Sequence, residues 1–190
     1  MKYLHDRHCL HRDLAARNVL LCDGNIVKIT DFGLAKSVYK YGDEYKKKSQ
    51  TKVPIKWLAP ESIHDGVYNK TTDIWSFGVL LWEIFTLGKV PYPGLNDADE
   101  ILKMLDNEYR LPQPELADDE TAQVMYACWH ANPSQRCDFA QLVELFKKKL
   151  PANIVHYYET IDADPVKRAI SVANRAKQQQ QQQQKSNNRL

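Results

Sequence analysis

A mainly helical lobe around one buried central helix, with a short β-hairpin near its start, is the fold class that this sequence predicts. Three observations carry it. From Thr72 onward apolar residues recur at helical spacing in four blocks; two short apolar runs flank a glycine-containing turn early in the chain; and the most apolar stretch, Ile74 to Leu87, sits in the middle.

The hairpin comes first. Val19-Leu20-Leu21 and Ile26-Val27-Lys28-Ile29 stand on either side of Asp23-Gly24-Asn25, a turn sequence that lets two apolar strands fold back on each other. A long polar segment follows from Lys36 to Lys52. The helical blocks are Thr72 to Leu87, Ala98 to Asn107, Asp118 to His130 and Asp138 to Leu150. Thr72, Asp97 and Asp118 have side-chain oxygens that can accept the free N–H groups of a first turn, and Gly88 can end the helix before it. Pro112, Pro114 and Pro133 separate the blocks. Ile74 to Leu87 is shorter than the roughly 20 residues a membrane span needs. It also contains Glu83, so it reads as a core helix and the most buried element of the lobe.

Composition narrows the function classes. With 43% hydrophobic and 26% charged residues, the 190-residue chain can bury one core. A net charge of +2 from balanced acids and bases gives no basic excess to argue for nucleic acid or an anionic membrane as partner. Cys9, Cys22, Cys128 and Cys137 form no C-x-x-C pair and no zinc-finger spacing, so they read as reduced, partly buried thiols. The mixed polar start Met1-Lys2-Tyr3-Leu4-His5-Asp6 is not a secretory signal. The alternation of apolar and polar residues fades after Leu150, and a glutamine run occupies Gln178 to Gln184. The expected organisation is a lobe over 1–150 and a polar tail over 151–190, disordered from about residue 165 because it cannot bury enough surface to offset its ordering entropy.

Chemistry concentrates before the helices. His11-Arg12-Asp13-Leu14-Ala15-Ala16-Arg17-Asn18 fits H-R-D-L-x-x-x-N at every defined position, Asp31-Phe32-Gly33 follows, and Ala59-Pro60-Glu61 comes later. A lone D-F-G is weak, but three motifs in this order, with a hairpin between the first two, are specific. The chain resembles the C-terminal lobe of protein tyrosine kinases over about residues 1 to 150.

That resemblance implies transfer of the ATP γ-phosphate to protein tyrosine, with Mg²⁺. Phosphoryl transfer needs positioning and neutralisation of spread charge more than covalent help. Asp13 would accept the proton of the incoming hydroxyl, a role worth roughly a hundred- to ten-thousand-fold. Asn18 and Asp31 would be oxygen ligands of the metal and contact the nucleotide phosphates through it. Phe32 would anchor the segment and Gly33 allow the turn after it. Ala15 and Arg17, in place of the lysine found two residues after the aspartate in serine/threonine kinases, match the tyrosine-specific form. Pro54, Lys56 and Trp57 resemble the segment that, with Arg17, supports the substrate. His11, Asp73, Glu61 and Arg136 would be structural, Asp73 holding the catalytic-loop backbone and Glu61 pairing with Arg136.

Between Asp31 and Glu61 the resemblance places an activation loop bearing Tyr39, Tyr41 and Tyr45. Tyr45 is the expected phosphorylation site, its phosphate pairing with Arg12. Pro54-Ile55-Lys56-Trp57-Leu58-Ala59-Pro60-Glu61-Ser62 and the spacing to Trp129 look most like receptor kinases of the fibroblast, platelet-derived and vascular endothelial growth factor receptor group. The partners implied are tyrosine-bearing protein substrates and, in a full-length parent, a second kinase in a dimer. Such a parent would lie in the plasma membrane with this lobe on the cytoplasmic side, although the chain has no membrane segment. Cys137 departs from the family, which usually has proline there.

The family's G-x-G-x-x-G loop is not in this sequence, and Met1-Lys2-Tyr3-Leu4 matches the interior of the helix that leads to the catalytic loop. The expectation is a domain without its N-terminal lobe, with negligible turnover alone and an exposed apolar face. A non-catalytic docking module derived from a kinase lobe is the alternative, disfavoured because docking has no physical need for both metal-ligand positions.

Overall fold

The computed structural model describes residues 1–23, 26–38, 44–46 and 53–151. The chain divides into two units, Met1–Glu144 and Leu145–Leu190; of the second, residues 145–151 are described. The expected tail disorder, Tyr39 and Tyr41, and the Gly24-Asn25 part of the hairpin turn lie outside the described residues.

Six short strands and six helices follow in the order α1 (Lys2–Asp6), β1 (Cys9–Leu10), β2 (Val19–Cys22), β3 (Ile26–Ile29), β4 (Lys36–Ser37), β5 (Glu44–Lys46), α2 (Pro60–His64), β6 (Val67–Asn69), α3 (Lys70–Phe85), α4 (Ala98–Asp106), α5 (Asp119–Cys128) and α6 (Phe139–Lys149) among the described residues. The lobe is mainly helical, as the sequence predicts. The hairpin also forms, β2 and β3 pairing antiparallel from Val19 opposite Ile29 to Cys22 opposite Ile26. Two further antiparallel pairs were not expected: β1 with β4, and β5 with β6, in which Tyr45 faces Tyr68. Strands of two or three residues are too short to show alternation.

Helix α3 begins two residues before the predicted Thr72. Asn69 is the cap, its Oδ1 accepting from the Thr71 and Thr72 amides at 2.9 and 3.2 Å, while Thr72 Oγ1 accepts from the Asn69 amide at 3.2 Å. Thr72 is therefore the third-residue partner of a reciprocal capping box. The helix closes where Leu87 and Gly88 take left-handed φ of 57° and 86°, and the Gly88 amide returns to the Glu83 carbonyl at 2.8 Å. Asp97 and Asp118 cap α4 and α5 as predicted. Asp138 and Gln141 exchange backbone-to-side-chain bonds at the start of α6, at 2.9 and 2.8 Å.

The core forms where α5 crosses α3. Trp75, Val79, Met125, Cys128 and Trp129 are buried there, each large apolar side chain worth roughly 1.5–3 kcal/mol. A Cβ on Gly78 would lie 2.6 Å from Trp129 Nε1 and 2.8 Å from Cys128 Cβ, so only glycine permits this approach. All four cysteines are free thiols, Cys128 buried and the others half-buried. At the opposite extreme, Leu20, Leu21, Ile26 and Val27 of the hairpin are 50%, 72%, 46% and 61% exposed, an apolar face left open to solvent. Among the described residues no helix is long and apolar enough to cross a membrane.

Candidate active site

The loop from His11 to Asn18 has little regular structure, so its shape depends on side chains that reach it from elsewhere. The fully buried Asp73, in the first turn of α3, accepts the amides of His11 at 2.8 Å and Arg12 at 2.9 Å, and lies 3.0 Å from His5 Nε2. Charge-assisted bonds of this kind are among the stronger ones in proteins. They hold Arg12 at φ 68°, a left-handed conformation costing of order 1–3 kcal/mol for a non-glycine residue. His11 Nδ1 accepts from the Asp13 amide at 3.3 Å, so its proton lies on Nε2, which donates to the Thr30 carbonyl at 3.0 Å.

Asp13 follows directly, its carboxylate paired with Arg17 four residues on. The Arg17 guanidinium stacks 4.4 Å over the Trp57 ring. Trp57 is held from below: its Nε1 donates to Glu83 Oε2 at 2.8 Å, and its carbonyl accepts from Ser76 Oγ at 2.7 Å. The same Glu83 oxygen accepts the Ala16 amide at 2.9 Å, joining the His11–Asn18 loop to the Trp57 segment. Pro54 precedes that segment, its carbonyl accepting from the Trp57 amide at 3.1 Å, and Lys56 Nζ donates to the Tyr92 carbonyl at 3.2 Å.

Asn18 is buried, and its Nδ2 donates to the Asp13 carbonyl at 2.7 Å. That bond turns Oδ1 into the atom available to a cation. The Thr30 amide donates to the Asn18 carbonyl at 2.9 Å, tying the far end of the hairpin back to the loop just before Asp31. Asp31 is itself left-handed, at φ 57°, and its Oδ1 accepts from the Gly33 amide at 3.1 Å. A Cβ on Gly33 would sit 3.0 Å from that oxygen. Phe32 meets His11 edge to face at 5.1 Å but stays 48% exposed, so only one side of the expected anchor is packed.

The buried Arg12 guanidinium lies 4.1 Å from the Tyr68 ring and 4.5 Å from the Tyr45 ring, and its Nη1 donates to the Leu34 carbonyl at 3.0 Å. Unmodified Tyr45 is thus already in contact with the arginine expected to receive its phosphate. Burial pushes the Tyr68 phenol up, with the Arg12 charge opposing. Farther off, Arg136 Nη1 and Nη2 donate to the two oxygens of Glu61 at 2.6 and 3.0 Å.

The sequence reading overlooked Glu83, Ser76, His5 and Tyr68. The first two left a signal, since polar side chains inside an apolar helix must find partners if buried. Neither of two surface clefts, one beside α1 and α6 and one beside the end of α3, includes Asp13, Asn18 or Asp31.

The arrangement is that of the helical lobe of a protein kinase. The family model for protein tyrosine and serine/threonine kinases matches residues 1–146, and the chain belongs to that family. Over 154 residues, 81% of this chain, it is 50% identical to vascular endothelial growth factor receptor 1 of Mus musculus and 50% identical to vascular endothelial growth factor receptor 2 of Coturnix japonica. Receptor 3 of Coturnix coturnix is 48% identical over the same length. The chain spans 12%, 11% and 11% of these three relatives.

Proposed function

We propose that this chain is the C-terminal lobe of a receptor-type protein tyrosine kinase, carrying the phosphotransfer residues of a catalytic domain completed by further sequence. The observation that carries the reading is the Asp13–Arg17–Trp57 stack, fixed from beneath by Glu83 and Ser76. It sets a carboxylate beside a flat, cationic-topped surface suited to a phenol ring.

Members of the family use ATP and Mg²⁺. The donor set here fits that ion. Among the described residues no three His, Cys, Asp or Glu side chains converge on one point. A cation held by the Asp31 carboxylate and Asn18 Oδ1 would thus draw its other ligands from phosphate and water, as Mg²⁺ prefers. When bound, the ion neutralises charge on the transferred phosphoryl group. The chain's own residues do the rest. Asp13 takes the proton of the tyrosyl hydroxyl as the oxygen attacks phosphorus, Arg17 orients Asp13 and faces the phosphate, and Pro54, Lys56 and Trp57 support the acceptor peptide. Phosphate on Tyr45 would exchange a cation–π contact with Arg12 for charge-assisted hydrogen bonds, ordering the loop that bears it; Tyr39 and Tyr41 are further acceptors.

Residues 1–150 form this lobe and 151–190 a polar tail. The exposed apolar face of β2 and β3 is accounted for if the rest of the domain packs on it. In the parent, dimerisation with a second kinase at the plasma membrane would bring Tyr45 to its partner's site, with the lobe on the cytoplasmic side.

The test is phosphate transfer from ATP and Mg²⁺ to a poly-Glu/Tyr peptide by the gene product that includes this chain and its upstream sequence, against D13N. Transfer reduced at least about a hundred-fold by D13N is expected, with negligible transfer by the 190-residue chain alone. Undiminished transfer by D13N, or transfer to a serine-only peptide instead, overturns the assignment.

A further inference from the structure

Cys128 closes helix α5 and Cys137 stands just before α6, and their sulfurs lie 3.7 Å apart. We propose that Cys128 and Cys137 are an oxidative cross-linking site, converted to an intramolecular disulfide by a low-molecular-weight disulfide such as oxidised glutathione. The inference does not depend on the catalytic reading.

A disulfide needs sulfurs about 2.05 Å apart and side chains directed at each other. The two sulfurs are already in contact, and bond formation requires closure of less than two ångströms. Cys128 is fixed in the α3–α5 core and the stretch between the two cysteines holds a single 3₁₀ turn, Pro133–Gln135, so the closure falls mainly on the Cys137 side chain. Access is also asymmetric in a useful way. Cys128 is fully buried, whereas Cys137 is half-buried and lines the surface cleft shared with His5, Asp6 and Phe139. Incoming disulfide meets Cys137 first. Hydrogen bonding between the two thiols pulls the Cys137 thiol down, against the opposing effect of its burial, while the same contact and deeper burial push the Cys128 thiol up, so Cys137 is the first to attack as thiolate.

The steps balance. Cys137 releases its proton to solvent and attacks one sulfur of oxidised glutathione, expelling a glutathione thiolate that takes up a proton. Cys128 then attacks Cys137 Sγ, loses its own proton, and displaces the second glutathione as thiol. Two protein S–H bonds become one S–S bond, and the glutathione disulfide becomes two thiols.

The product would staple the corner that presents Arg136, the residue immediately before Cys137 and the partner of Glu61. Cross-linking residues nine apart restricts the unfolded chain, and the expected consequence is a Tm higher by about 5 °C in the oxidised protein.

The experiment equilibrates the full chain with oxidised glutathione, blocks remaining thiols with N-ethylmaleimide, and maps non-reduced tryptic peptides by mass spectrometry. Cleavage after Arg136 separates the cysteines, so the disulfide joins peptide Leu111–Arg136 to peptide Cys137–Lys147. The joined pair, lost on reduction, is expected in the wild type and in C9S/C22S, and absent from C137S. Three results overturn the proposal: both cysteines carrying the maleimide, Cys137 halted as a glutathione adduct, or a joined pair involving Cys9, Cys22 or a second chain. The C9S/C22S protein keeps the test valid should C137S fold poorly.

Discussion

Removing the Arg136 side chain is the perturbation whose cost the structure defines best. The guanidinium is fully buried and its partner Glu61 is 17% exposed. Besides the two bonds to Glu61, Nη1 donates to the Thr71 carbonyl at 3.1 Å, Nε donates to the His130 carbonyl at 2.9 Å, and the group lies 4.9 Å from the Trp75 ring. R136A thus strands a carboxylate and two carbonyls. Breaking a buried pair from one side costs about 3–5 kcal/mol, a large part of the roughly 5–15 kcal/mol that holds a domain of this kind folded. The expected Tm loss is about 10 °C. Urea unfolding followed by tryptophan fluorescence reads the change, Trp75 and Trp129 both lying nearby. Pairing R136M with E61Q supplies a second measure: the double variant should lose at least about 1.5 kcal/mol less than the two singles summed, because neither charge is then left alone. R136A within about 1 kcal/mol of wild type, or additive losses in the double variant, would refute the view that this pair ties α2 to the segment before α6.

D73N keeps the shape of Asp73 but replaces one accepting oxygen with a donor facing an amide; a loss of about 2–3 kcal/mol is expected, with faster hydrogen exchange at His11 and Arg12 than at the α5 amides. G78A should destabilise the protein by about 1–3 kcal/mol by overpacking against Trp129 and Cys128, although alanine is by itself the better helix former; unchanged urea stability would show that α3 and α5 can part without loss. Burial pushes the Tyr92 phenol well above its ordinary value of 10.0. The folded protein therefore holds that proton more tightly than the unfolded chain, so the Tyr92 contribution is intact below pH 10 and is lost as the pH climbs beyond it. Urea midpoints measured into the alkaline range should fall less steeply in Y92F than in wild type, and parallel curves would remove Tyr92 as the cause.

What could be read beforehand was local. The β2–β3 hairpin, the Asp97 and Asp118 caps and the His11–Asn18 motif depend on neighbours a few residues apart, and a single sequence displays them. The pairing of Cys9 with Ser37 and of Tyr45 with Tyr68 joins distant segments through backbone groups, which have no residue signature. Threonine and asparagine both serve as caps, so the sequence allows Thr72 there; Asn69 takes the position because its amide oxygen reaches two N–H groups while Thr72 answers from the third position. Arg12 was expected to wait for a phosphate, yet two aromatic faces already cover it, since a buried guanidinium between Tyr45 and Tyr68 recovers part of its desolvation cost through their π-electrons. A spacing of nine residues matches no redox motif, so the Cys128–Cys137 contact has no signature in the sequence.

Helix α3 shows why burial and chemistry coincide in this lobe. Asp73, Ser76 and Glu83 are separated by three and seven residues, which keeps them on one face of a 3.6-residue helix over about 15 Å of its length. Each reaches a different part of the site: Asp73 the backbone of His11 and Arg12, Ser76 the carbonyl of Trp57, and Glu83 both the Trp57 indole and the Ala16 amide. All three are buried, so each would cost several kcal/mol without these partners. The cost works in both directions. The helix folds favourably only if the His11–Asn18 loop and the Trp57 segment dock on it, and those segments, each with only a single 3₁₀ turn of regular structure, take a defined shape by docking there. A conservative change at Glu83 should therefore disturb the relative placement of Arg17 and Asp13 without either being touched, because Trp57, the surface under Arg17, is positioned by the same carboxylate oxygen that holds Ala16.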